Sequence, residues 1–336
     1  MAKGLTRRKV KRRNNRGMIA TVALVLSLIA VVIIGGLGLT ITTSTRLTNL
    51  EKKELATIPA NILPAYSHTN FISFDEQTSL SGWFFKTENP VSTVILVHDM
   101  KDNRLQFDLA TTDIIEGFLN SRFNVFLFDQ RNCGESQGNI SGYGYLEWMD
   151  LLGAIRHVRD ISITTNVVLY GVGNGCSTIL QAMERLPAKG DYESDYPSSI
   201  LRLSFDRSYI VGLILDSPAK MSDDYIRQPA SQEKPFGWLM QLTVPYAIRI
   251  SSSGAANKNL MSLISQAQIP VCILYGERDT YIGRDVIAKL VEERTRLHPN
   301  TTMSFSFADA RYTESYTTDQ RGYLDAMETF LAHYFY

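Results

Sequence analysis

Met18 to Leu39 reads MIATVALVLSLIAVVIIGGLGL, and no charged residue occurs between Gly17 and Ser44. A helix needs roughly 20 consecutive apolar residues to cross a bilayer core, so 18–41 is expected to be a transmembrane anchor. The apolar region of a secretory signal peptide is shorter, roughly 7 to 15 residues, and ends at a small-residue cleavage site. Here the run is longer and no A-x-A pattern or lipidatable cysteine accompanies it, which favours an uncleaved anchor over a removed leader.

The pattern changes after the anchor. Residues 42–66 are polar with two prolines and read as a stalk, and a folded domain is expected over 67–336. In that domain short apolar runs alternate with amphipathic ones, which predicts a mostly parallel sheet flanked by helices, an α/β class. Phe71 to Phe74 and Leu80 to Phe85 predict a leading hairpin. Buried strands are expected at Thr93 to His98, Val125 to Asp129, Val167 to Gly171, Ile210 to Asp216 and Val271 to Gly276, with a last strand at Met303 to Phe307. Apolar residues at three and four spacing predict helices at Leu109 to Leu119, Leu146 to Val158, Ser177 to Leu186, Asp285 to Leu297 and Gly322 to Tyr334. Two stretches break this rhythm: a polar insertion at 187–208, and residues 218–268, whose aromatics and prolines predict a small helical lid over the strand ends.

Charge sharpens the picture. The chain balances 34 basic against 34 acidic residues, but residues 1–50 hold nine basic residues and no acid, leaving 25 against 34 over 51–336, a net −9. An acidic domain argues against a nucleic-acid surface. Eight of the nine basic residues precede the apolar run, and the positive-inside rule then places a basic tail, 1–17, in the cytoplasm and the large domain outside the cell membrane, a single-pass topology with membrane lipid as the partner of the helix. Cys133, Cys176 and Cys272 are odd in number and far apart, so they support neither a disulfide framework nor a zinc site. No cofactor or metal is expected.

The candidate chemistry lies at Leu169-Tyr170-Gly171-Val172-Gly173-Asn174-Gly175-Cys176, after an expected strand and before an expected helix. That is the setting of the nucleophile elbow G-x-S-x-G, a sharp turn that exposes the central side chain above the sheet. Here the central residue is Gly173. Around it stand Val94-Ile95-Leu96-Val97-His98 with Asn103-Arg104, then Phe128-Asp129-Gln130-Arg131-Asn132-Cys133-Gly134-Glu135-Ser136, Leu215-Asp216-Ser217-Pro218, Leu274-Tyr275-Gly276-Glu277-Arg278-Asp279, and Glu314-Ser315-Tyr316 before a terminal helix. In this order and context the chain resembles the α/β-hydrolases over roughly residues 70–334, and within them the bacterial membrane-anchored members of the serine aminopeptidase or esterase type.

The resemblance implies an α/β-hydrolase fold and assigns roles by position. Asp279 fills the slot of the triad acid, Tyr312 stands where the base histidine belongs, and Gly173 replaces the nucleophilic serine. The oxyanion-hole donors fall to the backbone N–H groups of Met100 and Asn174, while Asp99 replaces the glycine that follows His98. A carboxylate there opposes the charge that an oxyanion hole must stabilise. Losing a serine nucleophile alone costs on the order of 10⁶ in kcat, so the expectation is a catalytically inactive pseudoenzyme with a degenerate triad, used for binding a small-molecule or protein ligand in the former crevice. The alternative is an active ester, amide or peptide hydrolase whose nucleophile is displaced to Ser177 or Cys176. Asp99 and Cys176 are the ligand-pocket candidates, although Cys176, three residues past the apex at the helix start, reads more readily as core packing against the sheet. His98 reads as structural, since neighbouring strand residues point to opposite faces.

Overall fold

The computed structural model describes residues 16–59, 62–191 and 196–336. Most of the expected basic tail and positions 192–195 of the expected insertion lie outside the described residues. Strands β1 (Tyr66–Ile72), β2 (Ser79–Phe85), β3 (Ser92–Val97), β4 (Phe123–Phe128), β5 (Val167–Val172), β6 (Ile210–Asp216), β7 (Val271–Gly276) and β8 (Thr302–Phe307) form one sheet in the order β1-β2-β4-β3-β5-β6-β7-β8. The pairings β1/β2 and β2/β4 are antiparallel and all others parallel. At the β1/β2 turn, Asp75 Oδ1 accepts from the Gln77 and Thr78 amides, which fixes the hairpin.

Helices are α1 (Arg16–Thr48), α2 (Thr111–Asn120), α3 (Trp148–Ile161), α4 (Asn174–Arg185), α5 (Ser198–Leu201), α6 (Ser222–Ser231), α7 (Gly237–Ser251), α8 (Leu260–Gln266), α9 (Arg284–Leu297), α10 (Ser315–Thr318) and α11 (Gln320–Phe335). Each central strand is buried on both sides, so its apolar run serves two cores. Along β3, Ile95 and Val97 join the α3, α4 and α9 side, whereas Val94 and Leu96 join the α2 and α11 side. Burying each such side chain contributes roughly 1.5–3 kcal/mol.

The parallel register brings the strand ends level, with Val97 opposite Gly171 and Val172 opposite Asp216. The loops after β3, β5, β6, β7 and β8 therefore meet at one edge, the crevice at the strand C-termini where ligands of open α/β sheets bind.

Two expectations about organisation are corrected. The segment 42–66 is not a free stalk. Helix α1 continues to Thr48, and Thr40, Thr43, Leu47 and Thr48 are buried; beyond it Lys52 Nζ donates to the Ser136 carbonyl (2.5 Å), Asn103 donates to the Lys53 and Glu54 carbonyls, and Lys53 pairs with Asp102 (2.8 Å). The lid is also smaller than 218–268. It consists of α6 and α7, whereas Leu260 and Ile264 of α8 enter the main core beside α4 and α9. Helix α1 itself is 33 residues long, its most apolar stretch has a mean hydropathy of 2.9, and none of that stretch is buried, so it is long and apolar enough to cross a membrane.

Candidate active site

The tight link between β5 and α4 is built by glycines. Gly173 has φ +53° and ψ −121°, a region that L side chains rarely adopt. At Gly175 a Cβ would collide with the Val97 and His98 carbonyls, so the absence of a side chain lets α4 approach β3. The strand–turn–helix geometry of an elbow is therefore present, with no hydroxyl or thiol at its apex.

The space above the apex is filled. A Cβ on Gly173 would meet the Tyr312 hydroxyl and the Asp99 carboxylate at distances no real Cβ tolerates. Asp99 Oδ1 accepts from the Asn174 amide at 2.6 Å and from Tyr312 Oη at 2.9 Å. One of the two expected oxyanion-hole donors, the Asn174 amide, is thus engaged by a side chain of the same chain. Asp99's own amide donates to Gln106 Oε1 (2.5 Å), which fixes the loop leaving β3. Burial pushes the Asp99 carboxyl up to about 7, against the opposing pull of the Asn174 and Met100 amides.

Tyr312 is held in place from its other side. Its ring stacks on Tyr281 with centroids 4.3 Å apart and planes 13° off parallel, and Tyr281 Oη donates to the Tyr225 carbonyl at 2.9 Å. Burial, with Asp99 beside it, raises the Tyr312 hydroxyl well above its ordinary range, so it acts as a neutral donor.

Asp279 sits in the turn after β7. Its Oδ1 accepts from the Tyr281 and Ile282 amides at 2.7 and 3.0 Å, while its Oδ2 is buried without a partner. Burial raises its pKa against those amide bonds. Tyr312 does not bond Asp279, having turned to Asp99. One carboxylate oxygen is thus left unpaired in the slot whose usual role is to orient a base.

Cys176, a pocket candidate, does not line the cleft and packs in the core instead. Its thiol is buried beneath the elbow, donates to the Gly171 and Asp216 carbonyls (3.2 and 3.3 Å), and is raised far above a reactive range by burial and by Asp216. Ser177 is equally buried, with its hydroxyl 2.5 Å from that of Ser222. Cys133 and Cys272 are buried too. His98 is buried, hydrogen-bonded through Nδ1 to the Asp99 carbonyl and accepting at Nε2 from the Gln130 amide, a structural role.

A cleft of about 280 Å³ opens between the elbow and the lid, walled by Tyr143, Tyr225, Tyr281 and Tyr312, by Gln228 of α6 and by Gln232 just past its end, with Asp99, Met100 and Asn174 at its base. Asn174 Nδ2 is buried without a partner. The tyrosine wall was not foreseen: the tyrosines come from four separate segments, and only the closed fold joins them. Among the described residues no group of His, Cys, Asp or Glu is placed to hold a metal.

Comparison with known proteins agrees with this architecture. No family model matches the chain. An uncharacterised protein, YfhR of Salmonella typhi, is 27% identical over 227 residues, which cover 65% of this chain and 66% of the relative, so the match spans slightly less than two thirds of that protein. Among solved structures, an esterase from Pyrococcus furiosus superposes with a TM-score of 0.63 at 18% identity, covering 87% of this chain and 99% of its own. A thermophilic esterase from Thermogutta terrifontis gives 0.54 at 16% identity, covering 80% and 100%. The chain has the α/β-hydrolase fold.

Proposed function

We infer that this chain is a single-pass membrane protein whose extracytoplasmic α/β-hydrolase domain is without hydrolase activity and uses the former active-site cleft to bind a ligand or partner. One observation carries the reading: the Asp99 carboxylate accepts the Asn174 N–H where an enzyme's oxyanion would sit, directly above a Gly173 that offers no nucleophile. A hydrolase needs donors free to meet charge that develops in the transition state. Here the Asn174 donor is already engaged by an acceptor, and the buried, thiol- or hydroxyl-bearing neighbours Cys176 and Ser177 face away from the cleft.

The cleft suits a different task. Its base offers the Asp99 carboxyl and the unpartnered Asn174 Nδ2 and its walls are tyrosines, which favours small molecules carrying both hydrogen-bond donors and acceptors over the anionic intermediates of acyl transfer. Helix α1 with the basic run ahead of it supplies the anchor, with the N-terminus in the cytoplasm.

The test is reaction of the full chain with a fluorophosphonate probe and turnover of p-nitrophenyl acetate, beside a search for small cations and amides that raise its melting temperature. The expected result is no labelling, no turnover above background and at least one stabilising ligand. Labelling mapped to any serine would overturn the reading in favour of an active hydrolase with a displaced nucleophile.

A further inference from the structure

Lid helix α7 is apolar on opposite faces. Met240, Val244 and Ile248 are buried against the domain. Offset from them by two residues, Trp238, Leu242, Tyr246 and Ile250 form a row of four-residue spacing and are all largely exposed, Ile250 at 74%. Phe236 is exposed just before the helix. A helix apolar all round belongs in an apolar environment, and the domain covers only one of these faces.

What covers the other is indicated by α1. Leu239 of α7 lies against Gly36, and the hydroxyls of Thr243 and Thr40 are 2.8 Å apart. At 1.5 Å per residue, Gly36 and Thr40 stand about 27 and 33 Å along the helix from Met18, and a bilayer core is roughly 30 Å thick. The contact therefore falls at the far boundary of the membrane that α1 would cross. The neighbouring α1 residues Leu37, Leu39 and Ile41 are exposed, so the apolar surface passes from one helix to the other. The row carries one tryptophan and one tyrosine, the residues enriched where lipid headgroups meet hydrocarbon. Arg249 stacks over the Tyr246 ring at 4.4 Å, a cation beside the aromatic rim.

We propose that α7 is a membrane-docking element: the Trp238, Leu242, Tyr246 and Ile250 face lies in the outer boundary of the same bilayer that α1 spans, and holds the lid and cleft at the lipid surface. The proposal rests on the reading of α1 as an anchor. Docking of this kind contributes in proportion to the apolar area buried, and it confines the lid to the membrane plane.

The native cysteines are all buried, so the full chain carrying Leu242→Cys can be labelled there with an environment-sensitive fluorophore. The protein is reconstituted in phosphatidylcholine and phosphatidylglycerol vesicles that contain phosphatidylcholine spin-labelled near the head of an acyl chain. Ile163→Cys, 82% exposed in the loop before β5 and so at the opposite edge of the sheet, is the control. Quenching several-fold stronger at 242 than at 163 is the expected result. Equal quenching at both positions, or a fluorophore at 242 quenched by aqueous iodide as fully as the one at 163, would overturn docking. So would cross-linking of Leu242→Cys chains into dimers without lipid quenching, which would assign the face to a second copy. Carbonate extraction of the same vesicles reads the anchor separately. A carbonate-resistant chain with a water-exposed position 242 overturns the lid proposal alone, whereas a carbonate-extractable chain overturns both.

Discussion

Asp99 is the residue on which the site turns. It supplies the acceptor that the Asn174 amide and the Tyr312 hydroxyl require, and it does so while buried, which favours its neutral form. The carboxyl is pushed up to about 7 in the fold from an ordinary value near 4, so it is protonated in both states below about pH 4. Between pH 4 and 7 the unfolded chain ionises there and the folded chain does not, so stability falls as pH rises, by up to about 1.4 kcal/mol per pH unit. Asp216, buried beneath the elbow and likewise pushed up to about 7, adds a second contribution of the same sign. Asp99→Asn is expected to flatten part of that fall in urea-unfolding free energies measured at pH 5 and pH 7, leaving the share of Asp216. An unchanged slope would mean that Asp99 is ionised in the fold. The same geometry defines a repair. Gly173→Ser alone places a side chain on a φ of +53° and into the Asp99 and Tyr312 oxygens, and is expected to destabilise without giving activity. With Tyr312→His and Asp99→Gly added, the obstruction is removed, and Asp279 Oδ2, now unpaired, becomes available to a histidine. The triple variant is expected to hydrolyse p-nitrophenyl acetate above wild type and to lose that gain on Asp279→Asn, because nucleophile and base act as a unit. A folded triple variant without turnover would show that these positions do not converge. The places of Gly173, Tyr312 and Asp279 in the loops after β5, β8 and β7 were legible in the sequence because each stands a few residues past an apolar strand run. The Asp99–Tyr312 hydrogen bond was not, since it depends on side-chain directions from two loops more than two hundred residues apart. Cys176 packs in the core, as its place three residues past the apex suggests, because the turn sends its side chain under the elbow rather than over it.

At the scale of elements, the sheet was largely legible. Strands β6 and β7 fall on their expected bounds and the other central strands within two residues, because strands buried on both faces leave continuous apolar runs that polar turns interrupt. The lid was less legible. Helix α8 lies in the same inter-strand segment as α6 and α7, and only packing against α4 and α9 assigns it to the body. The motif residues outside the elbow are polar struts for the loops that bear the site. Arg104 and Asp129, both fully buried, meet at 2.6 Å, and Asp129 also accepts from the Arg104 and Glu135 amides, tying the loop after β3 to the loop after β4. Arg131 pairs with Asp150 of α3 at 2.7 Å in the same manner. Removing Asp129 leaves the buried Arg104 charge only the half-exposed Glu135, at 2.7 Å, to balance it. Asp129→Ala is therefore expected to cost about 3–5 kcal/mol in chemical unfolding, far more than a change in an exposed pair such as Arg321–Asp325, worth about 0–1 kcal/mol. A cost below about 1 kcal/mol would mean that Glu135 alone balances the Arg104 charge.

The whole molecule differs most from its sequence reading at the junction of anchor and domain. A polar, proline-containing segment reads as a tether, because composition does not reveal that Thr40 and Leu47 pack on a lid helix about two hundred residues away. In the fold Leu47 shares a core with Tyr143, Tyr225, Met240, Val244 and Ile248, its carbonyl accepts from Tyr143 Oη at 3.2 Å, and Arg46 pairs with Glu233. Two of these tyrosines, Tyr143 and Tyr225, also wall the cleft, so the last turns of α1 support the lid and the binding site together. A chain beginning at residue 50 loses that support and uncovers the apolar face of the lid. Deleting one buried leucine side chain costs about 2–5 kcal/mol, and 1 kcal/mol corresponds to roughly 2–4 °C in a domain of this size. The shortened chain is expected to melt several degrees or more below a chain that keeps residues 36–49 in the same detergent, and to be cut first by protease within α6 and α7. Leu47→Ala in the full chain should reproduce part of the shift. Equal melting temperatures and equal protease resistance would mean that α1 only tethers the domain and that the lid stands without it.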